Sequence, residues 1–426
     1  MRDNYKMQKK KTLGDSCKLV WLAGNNNHTI ILAIYLATCL ILLPTTLFAQ
    51  KKQIQTARDL VKAGKDLDKA VASMQGLLKD SVNRHNPKIW MVLCDALITQ
   101  YEQGNEKLYL KQTYDTTALF SVTHKLFESM AAFDSIDALP NSRGQVRLEH
   151  REKNAAFLHS IRPNLFNGGV YYTRKQKYKD AYDYYEMYIA STKWALFNGY
   201  QYEHKDPLMP HAAYWAMYCG YKMKNPELIV RYQDIAERDT SMLNFVRQYQ
   251  AEAFLLKGDT TQYVAALRDG FERYPNFAFF FPRLIAYYEQ HEQHDSALVV
   301  VNRALEADST SVLFRLTKSS ILLNMGQYNS CIALCKKLLE EKDSLAEAYY
   351  NIGLAYFNQA IELDKVEQKY RSKRQQINAL YKEALPYLEQ YRALNAGQRE
   401  RWLPPLYTIY LNLNMGKEFD ELNKKQ

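Results

Sequence analysis

The sequence predicts an all-α protein, and three observations carry the prediction. Apolar residues fall at helical spacing, as in "AEAYYNIGLAYFNQ" (346–359), where Tyr349, Ile352, Gly353 and Tyr356 share a face. Strand-like alternation is scarce, Val and Ile are not enriched over Leu and Ala, and only 16 Gly and 12 Pro interrupt 426 residues. Third, segments repeat one another at a step of 34 residues. With 47% hydrophobic and 24% charged residues, the chain has the composition of a protein that buries a core.

The first 49 residues read as an export signal. Lys9, Lys10 and Lys11 form a basic leader, "IILAIYLATCLILL" (30–43) is the apolar run, Pro44 breaks it, and Ala49 offers a small residue before Gln50. Cleavage before Gln50 is the expectation. The alternative is an uncleaved N-terminal membrane anchor, since residues 29–49 are just long enough to span a bilayer. Removal of 1–49 leaves 50 Lys and Arg against 44 Asp and Glu, a net charge of +6. No basic block stands out, and export argues against a nucleic-acid partner.

Residues 50–140 read as an N-terminal helical lobe of degenerate repeats: one unit over 51–84 with Ala70, Met74 and Leu77, another over 87–135 beginning at Trp90. "DALPNSRG" (137–144) breaks the pattern and sets the lobe's boundary. The array proper runs over 141–397. "LFNGGVYYTRKQKYKDAYDYYEMYI" (165–189) is a strong unit, with Gly169, Tyr172, Tyr178, Ala181 and Tyr185 in its slots. Residues 197–210, rich in Gly and Pro, read as a loop insertion, and 212–239 as a weaker unit. Further on, Phe281, Ile285 and Tyr288 align with Arg315, Ser319 and Leu322, and these with Tyr349, Gly353 and Tyr356. In the second helices Ala297, Val301 and Ala304 align with Cys331, Cys335 and Leu338. Pro275, Ser309 and Asp343 mark the turns, and Gly326 ends a first helix. An insertion without Gly or Pro near 357–384 should lengthen both helices of one hairpin into a charged projection. Residues 398–426 read as capping helices, polar at their end.

A helix–turn–helix unit of this period, with small residues at Gly353, Ser319 and Ala251 and apolar partners at Tyr356, Leu322 and Phe254, resembles the tetratricopeptide repeat (TPR). The resemblance implies a TPR-like α-solenoid of stacked antiparallel helix hairpins, in which a small slot lets the two helices of a unit approach closely. Gly353 fills that slot, so Gly353→Leu should overpack it, whereas Gly353→Ala should be mild. The resemblance further implies that the first helices line a concave face that holds peptides or protein segments. The Lys, Asn and Arg set that clamps a terminal carboxylate in this family is not found.

The 34-residue register places Ala213, Ala216, Met217 and Gly220 in packing slots. Tyr214, Tyr218 and Tyr221 then form a stripe beside them. The same stripe carries Tyr350, Leu354, Phe357 and Asn358 in a later unit, and Gln248 and Glu252 in an intervening one. These nine residues are the candidate partner groove. If the register near 213 is off by one, the tyrosines pack the core instead.

No catalytic constellation, cofactor fingerprint or metal motif is found. In "HEQH" (291–294) the histidines stand three apart, one short of the zinc-protease spacing. Cys94, Cys219, Cys331 and Cys335 contain no C-x-x-C and read as small buried apolar residues. The expectation is a non-enzymatic exported scaffold, periplasmic or otherwise outside the cytoplasm, that binds a protein or peptide of the cell envelope. Membrane contact is expected only through an uncleaved signal. A glycan- or cell-wall-binding protein using exposed aromatics is the alternative.

Overall fold

A computed structural model describes residues 49–424 apart from residue 142 and residues 367–370; residues 1–48, on which nearly all of the expected export signal falls, lie outside the described residues. Among the described residues every regular element is a helix. The chain divides into two compact units at Asp206–Pro207.

The N-terminal unit contains α1 (49–63), α2 (Leu67–Leu77), α3 (Pro87–Tyr109), α4 (Thr116–Asp137), α5 (Arg151–Ile161), α6 (Pro163–Arg174), α7 (Tyr178–Ala190) and the short α8 (Tyr202–Lys205). Helices α1/α2, α3/α4 and α6/α7 form antiparallel hairpins. Asn86 and Asp115 cap α3 and α4 by accepting from the Lys88 and Thr117 N–H groups.

The sequence set a boundary at 137–144 and a loop at 197–210; the chain instead divides after Asp206. The reason is packing. Residues 191–206 make two 3-10 turns and α8, and fold back into the unit. Trp194 and Phe197 lie 6.1 and 6.3 Å from Phe127 of α4, and the Tyr202 hydroxyl meets His159 Nδ1 at 2.6 Å. The buried Arg162 guanidinium pairs with Asp206 and lies over the rings of Tyr188 and Tyr202 at 3.7 and 4.1 Å. The first strong repeat therefore belongs to the N-terminal unit.

The C-terminal unit runs α9 (Met209–Lys222), α10 (Pro226–Val230), α11 (Gln233–Ala236), α12 (Leu243–Leu256), α13 (Thr260–Arg273), α14 (Phe280–Gln290), α15 (His294–Ala307), α16 (Val312–Asn324), α17 (Tyr328–Glu341), α18 (Ala346–Val366), α19 (Arg371–Leu394), α20 (Arg399–Asn412) and α21 (Gly416–Lys424). Successive hairpins stack through apolar clusters bridged by the partly buried Leu298, Leu354 and Tyr356. The second-helix positions Ala297, Val301 and Ala304, and their equivalents Cys331, Cys335 and Leu338, are all fully buried. In the weak unit the second helix is broken at Arg231–Tyr232 into α10 and α11. The elongated hairpin is present: α18 and α19 have 21 and 24 residues, against 11 to 14 in α12–α17.

The repeat is written in the backbone as well as in the side chains. Eight hairpin turns each hold a residue of positive φ: Gly64, Lys111, Gln176, Lys224, Gly258, Glu292, Gly326 and Asn414. In each, the next N–H reaches back five residues to a helix carbonyl, as from Gln293 to Tyr288 at 2.8 Å and from Gln327 to Leu322 at 2.8 Å. This is the Schellman closure, which satisfies carbonyls that the helix end leaves open. Lys224, Gly258, Glu292 and Gly326 stand 34 residues apart. The fold is thus a TPR-type stack of antiparallel helix hairpins within each unit.

A side chain in this conformation costs about 1–2 kcal/mol, and glycine gives back part of that in chain entropy. Lys224→Gly and Glu292→Gly are therefore expected to raise stability by roughly 0.5–1 kcal/mol each. Urea denaturation checks this; a loss at both positions would contradict it.

Candidate functional site

The candidate face starts from α9. A Cβ built on Gly220 would stand 2.7 Å from the Ile229 backbone nitrogen, so α9 and α10 touch backbone to backbone there. Ala213, Ala216 and Met217 are fully buried and Gly220 is buried with them. These four residues are thus buried along the α9 face that meets α10, and Tyr214 is buried beside them.

The stripe converges on one residue that the sequence reading missed. Tyr249 of α12 is 4% exposed, and its ring centroid lies 6.0, 6.2 and 5.2 Å from those of Tyr214, Tyr218 and Tyr221. A signal for it existed: Trp215 stands 34 residues earlier, and it packs edge-on against Tyr214 and Tyr218. Tyr214 is buried in this cluster, whereas Tyr218 and Tyr221 are half-buried. Lys222 Nζ lies over both of these rings, 5.4 and 5.7 Å from their centroids. Burial pushes the phenols of Tyr249 and Tyr214 upward, so both stay neutral hydroxyls.

Gln248 and Glu252 are half-buried on the same helix as Tyr249. Glu252 stands 3.6 Å from Arg283, whose guanidinium lies over the Phe279 ring. Burial raises the Glu252 carboxyl above its ordinary range, and the Arg283 charge opposes that rise.

The remaining four candidates form a second group on α18. Tyr350 packs against Tyr391 at 4.6 Å and lies under the Arg401 guanidinium at 4.1 Å. Arg401 in turn makes two 2.8 Å bonds to the Glu347 carboxylate. Phe357 faces Tyr381 at 5.9 Å, Leu354 joins the apolar core, and Asn358 is half-buried. Tyr350 and Phe357 thus give one side of each ring to packing on α19. Also unforeseen is the buried Asn351, which donates to Ser319 and Ser320 at 2.8 and 3.0 Å and ties α18 to α16. Ring contacts tie Tyr214, Tyr218 and Tyr221 together through Tyr249, whereas Tyr350 and Phe357 pack on two different rings of α19.

The histidines of 291–294 and the cysteines have structural surroundings. His291 Nδ1 meets the Tyr287 carbonyl at 2.7 Å, and His294 Nδ1 lies 3.3 Å from Glu289. Among the described residues no group of three His, Cys, Asp or Glu is placed to hold a metal ion. Cys94, Cys219, Cys331 and Cys335 are all buried and form no disulfide among the described residues. Burial, with help from the neighbouring Asp95, pushes the Cys94 thiol up to about 12.

No protein-family model and no curated protein matches the chain. Solved structures do resemble it. A TPR repeats protein from Bacteroides fragilis NCTC 9343 is 20% identical over 60% of this chain and 98% of its own, with a TM-score of 0.30. The complex of the yeast Sti1 TPR2AB domain with pHSP90 is 13% identical over 63% and 98%, with a TM-score of 0.22. IFIT1 with Gppp-AAAA is 15% identical over 83% and 77%, with a TM-score of 0.36. At these scores the superpositions are loose. The fold assignment stands on the hairpins, their 34-residue step and their shared turn.

Proposed function

We propose that the chain is an exported, non-enzymatic scaffold that holds a protein or peptide of the cell envelope against the first helices of its C-terminal unit. One observation carries this reading. On α9 Tyr214 is buried with the packing slots, while Tyr218 and Tyr221 stay half-buried although both rings pack on Tyr249. Aromatic rings fixed in place, partly open and flanked by Lys222, Gln248 and Glu252 are the composition of a recognition patch. The basic leader and apolar run support export.

Paired substitutions test the reading. Tyr249→Ala removes a buried ring and should cost about 3 kcal/mol or more. Tyr218→Ala should cost roughly 1 kcal/mol yet abolish capture of the partner. Capture is read by a photo-crosslinker at Tyr221 in living cells, followed by mass spectrometry of the envelope fraction. Full capture by Tyr218→Ala would reject the face, and a mature protein not beginning at Gln50 would reject cleavage.

A further inference from the structure

Three hairpin turns of the N-terminal unit lie along one edge. Gln103 Nε2 donates to the Gly64 carbonyl at 3.0 Å, joining the α1/α2 turn to the last turns of α3. The Tyr114 ring folds back over Gly104, which fixes the α3/α4 turn. Thr117 Oγ1 lies 2.8 Å from the Tyr171 hydroxyl, joining the start of α4 to the end of α6 and so to the α6/α7 turn.

This edge has two chemical properties. It is basic: Lys62 and Lys65 stand in the first turn, Lys107 and Lys111 in the second, and Lys175 and Lys177 in the third, all exposed. Of the acids in these turns, Asp66 pairs with Lys69 at 3.0 Å, and Asp115 caps α4 through the Thr117 N–H at 2.8 Å. Asp68, which accepts from Gln100 at 2.7 Å, and Glu106 and Asp180 offset three of the cations. The edge also carries an apolar protrusion. Tyr109 is 85% and Leu110 54% exposed, side by side at the tip of the middle turn between Lys107 and Lys111.

We infer that this edge is a peripheral membrane contact, which sets Tyr109 and Leu110 into the headgroup layer and its lysines against anionic lipid phosphates. Two adjacent apolar side chains on a convex turn make no core for a protein interface, which needs a broad desolvated centre. Tyrosine with leucine is what the interfacial zone of a bilayer accepts, the phenol staying at headgroup level. Cations spread over three turns match a surface of distributed negative charge, which attracts each of them. The inference does not depend on the scaffold reading, because that face lies in the other unit.

The test reads the tip itself, so residues 1–48 do not decide it. Tyr109→Trp is made in the full chain, which is mixed with vesicles of phosphatidylglycerol and phosphatidylethanolamine in equal parts, the phosphatidylglycerol carrying brominated acyl chains. The added fluorescence, taken as the difference from the parent protein, should be quenched, and quenching should fade as salt rises. Brominated phosphatidylcholine vesicles should leave it unchanged. Lys175→Glu with Lys177→Glu should shift half-quenching to roughly tenfold higher lipid or more; these residues are exposed, and an unchanged thermal melt verifies folding. Fluorescence untouched by the anionic vesicles, or quenched equally by phosphatidylcholine, overturns the inference, the first outcome also if the edge meets an acidic protein instead.

Discussion

Asp206→Ala is expected to destabilise the N-terminal unit by about 3–5 kcal/mol, because it leaves a buried guanidinium without its counter-charge. The Arg162 and Asp206 side chains are 5% and 7% exposed. Arg162 also donates to the Tyr188 carbonyl at 2.9 Å, and the Tyr188 hydroxyl donates to Asp206 at 2.7 Å. The carboxylate therefore neutralises one residue and accepts from another. It also holds the end of the 191–206 segment against α7. The double variant Arg162→Met with Asp206→Leu should recover much of the loss, since no charge is then stranded, but not the Tyr188 contribution of roughly 1–3 kcal/mol. Urea denaturation measures the size of the effect, and hydrogen exchange its place: α5–α8 should lose protection while α14–α17 keep theirs. A cost below about 1 kcal/mol would show that water reaches this pair.

The parts of the fold that were legible in the sequence are those in which one residue type answers one local demand. Gly326 is at a helix end, and its φ of 73° is what a glycine there serves. Cys331 and Cys335 recur in step with Ala297 and Val301, and all four are fully buried. Gly169, legible as a packing slot, seats the Tyr185 ring, and Gly168 beside it seats that of Tyr184. The division of the chain was not legible. It depends on Arg162 meeting Asp206 across 44 residues, and neither residue carries a local mark of its partner. Lys224 and Glu292 take the left-handed turn without being glycine, so only the register reveals them.

The candidate face was legible in its period and not in its depth. Spacing puts Tyr214, Tyr218 and Tyr221 on one stripe, but Tyr249 on the next first helix decides how far each is covered. It buries Tyr214 and leaves the other two half-open. Likewise the stripe continues to Tyr350 and Phe357, whose rings are turned partly toward Tyr391 and Tyr381 of α19. Periodicity reports a direction around one helix; burial is a property of the neighbour.

Three helical glycines, each changed to alanine, are expected to separate in sign. On propensity alone every one should gain about 1 kcal/mol. A Cβ on Gly76 of α2 would meet nothing within 4 Å, so Gly76→Ala should realise most of that gain. A Cβ on Gly353 would stand 2.6 Å from Leu388 Cγ and 3.3 Å from the Leu388 backbone nitrogen. Leu388 is fully buried and has little room to turn aside. This corrects the expectation that Gly353→Ala is mild: α18 must move off α19, at a net cost of roughly 1–2 kcal/mol, with Gly353→Leu costing more. Gly220 is the most severe case, since its obstacle is backbone, with Ile229 N at 2.7 Å and Leu228 C at 2.9 Å. No rotamer change relieves that clash, and α10 is too short to bend around it, so Gly220→Ala should cost about 2–3 kcal/mol or more. The displacement would also carry Tyr218 and Tyr221 away from Tyr249, so Gly220→Ala should weaken partner capture although Gly220 touches no partner. Thermal or urea unfolding gives the order. A series in which all three variants are stabilised would remove close helix approach as the reason these glycines are present.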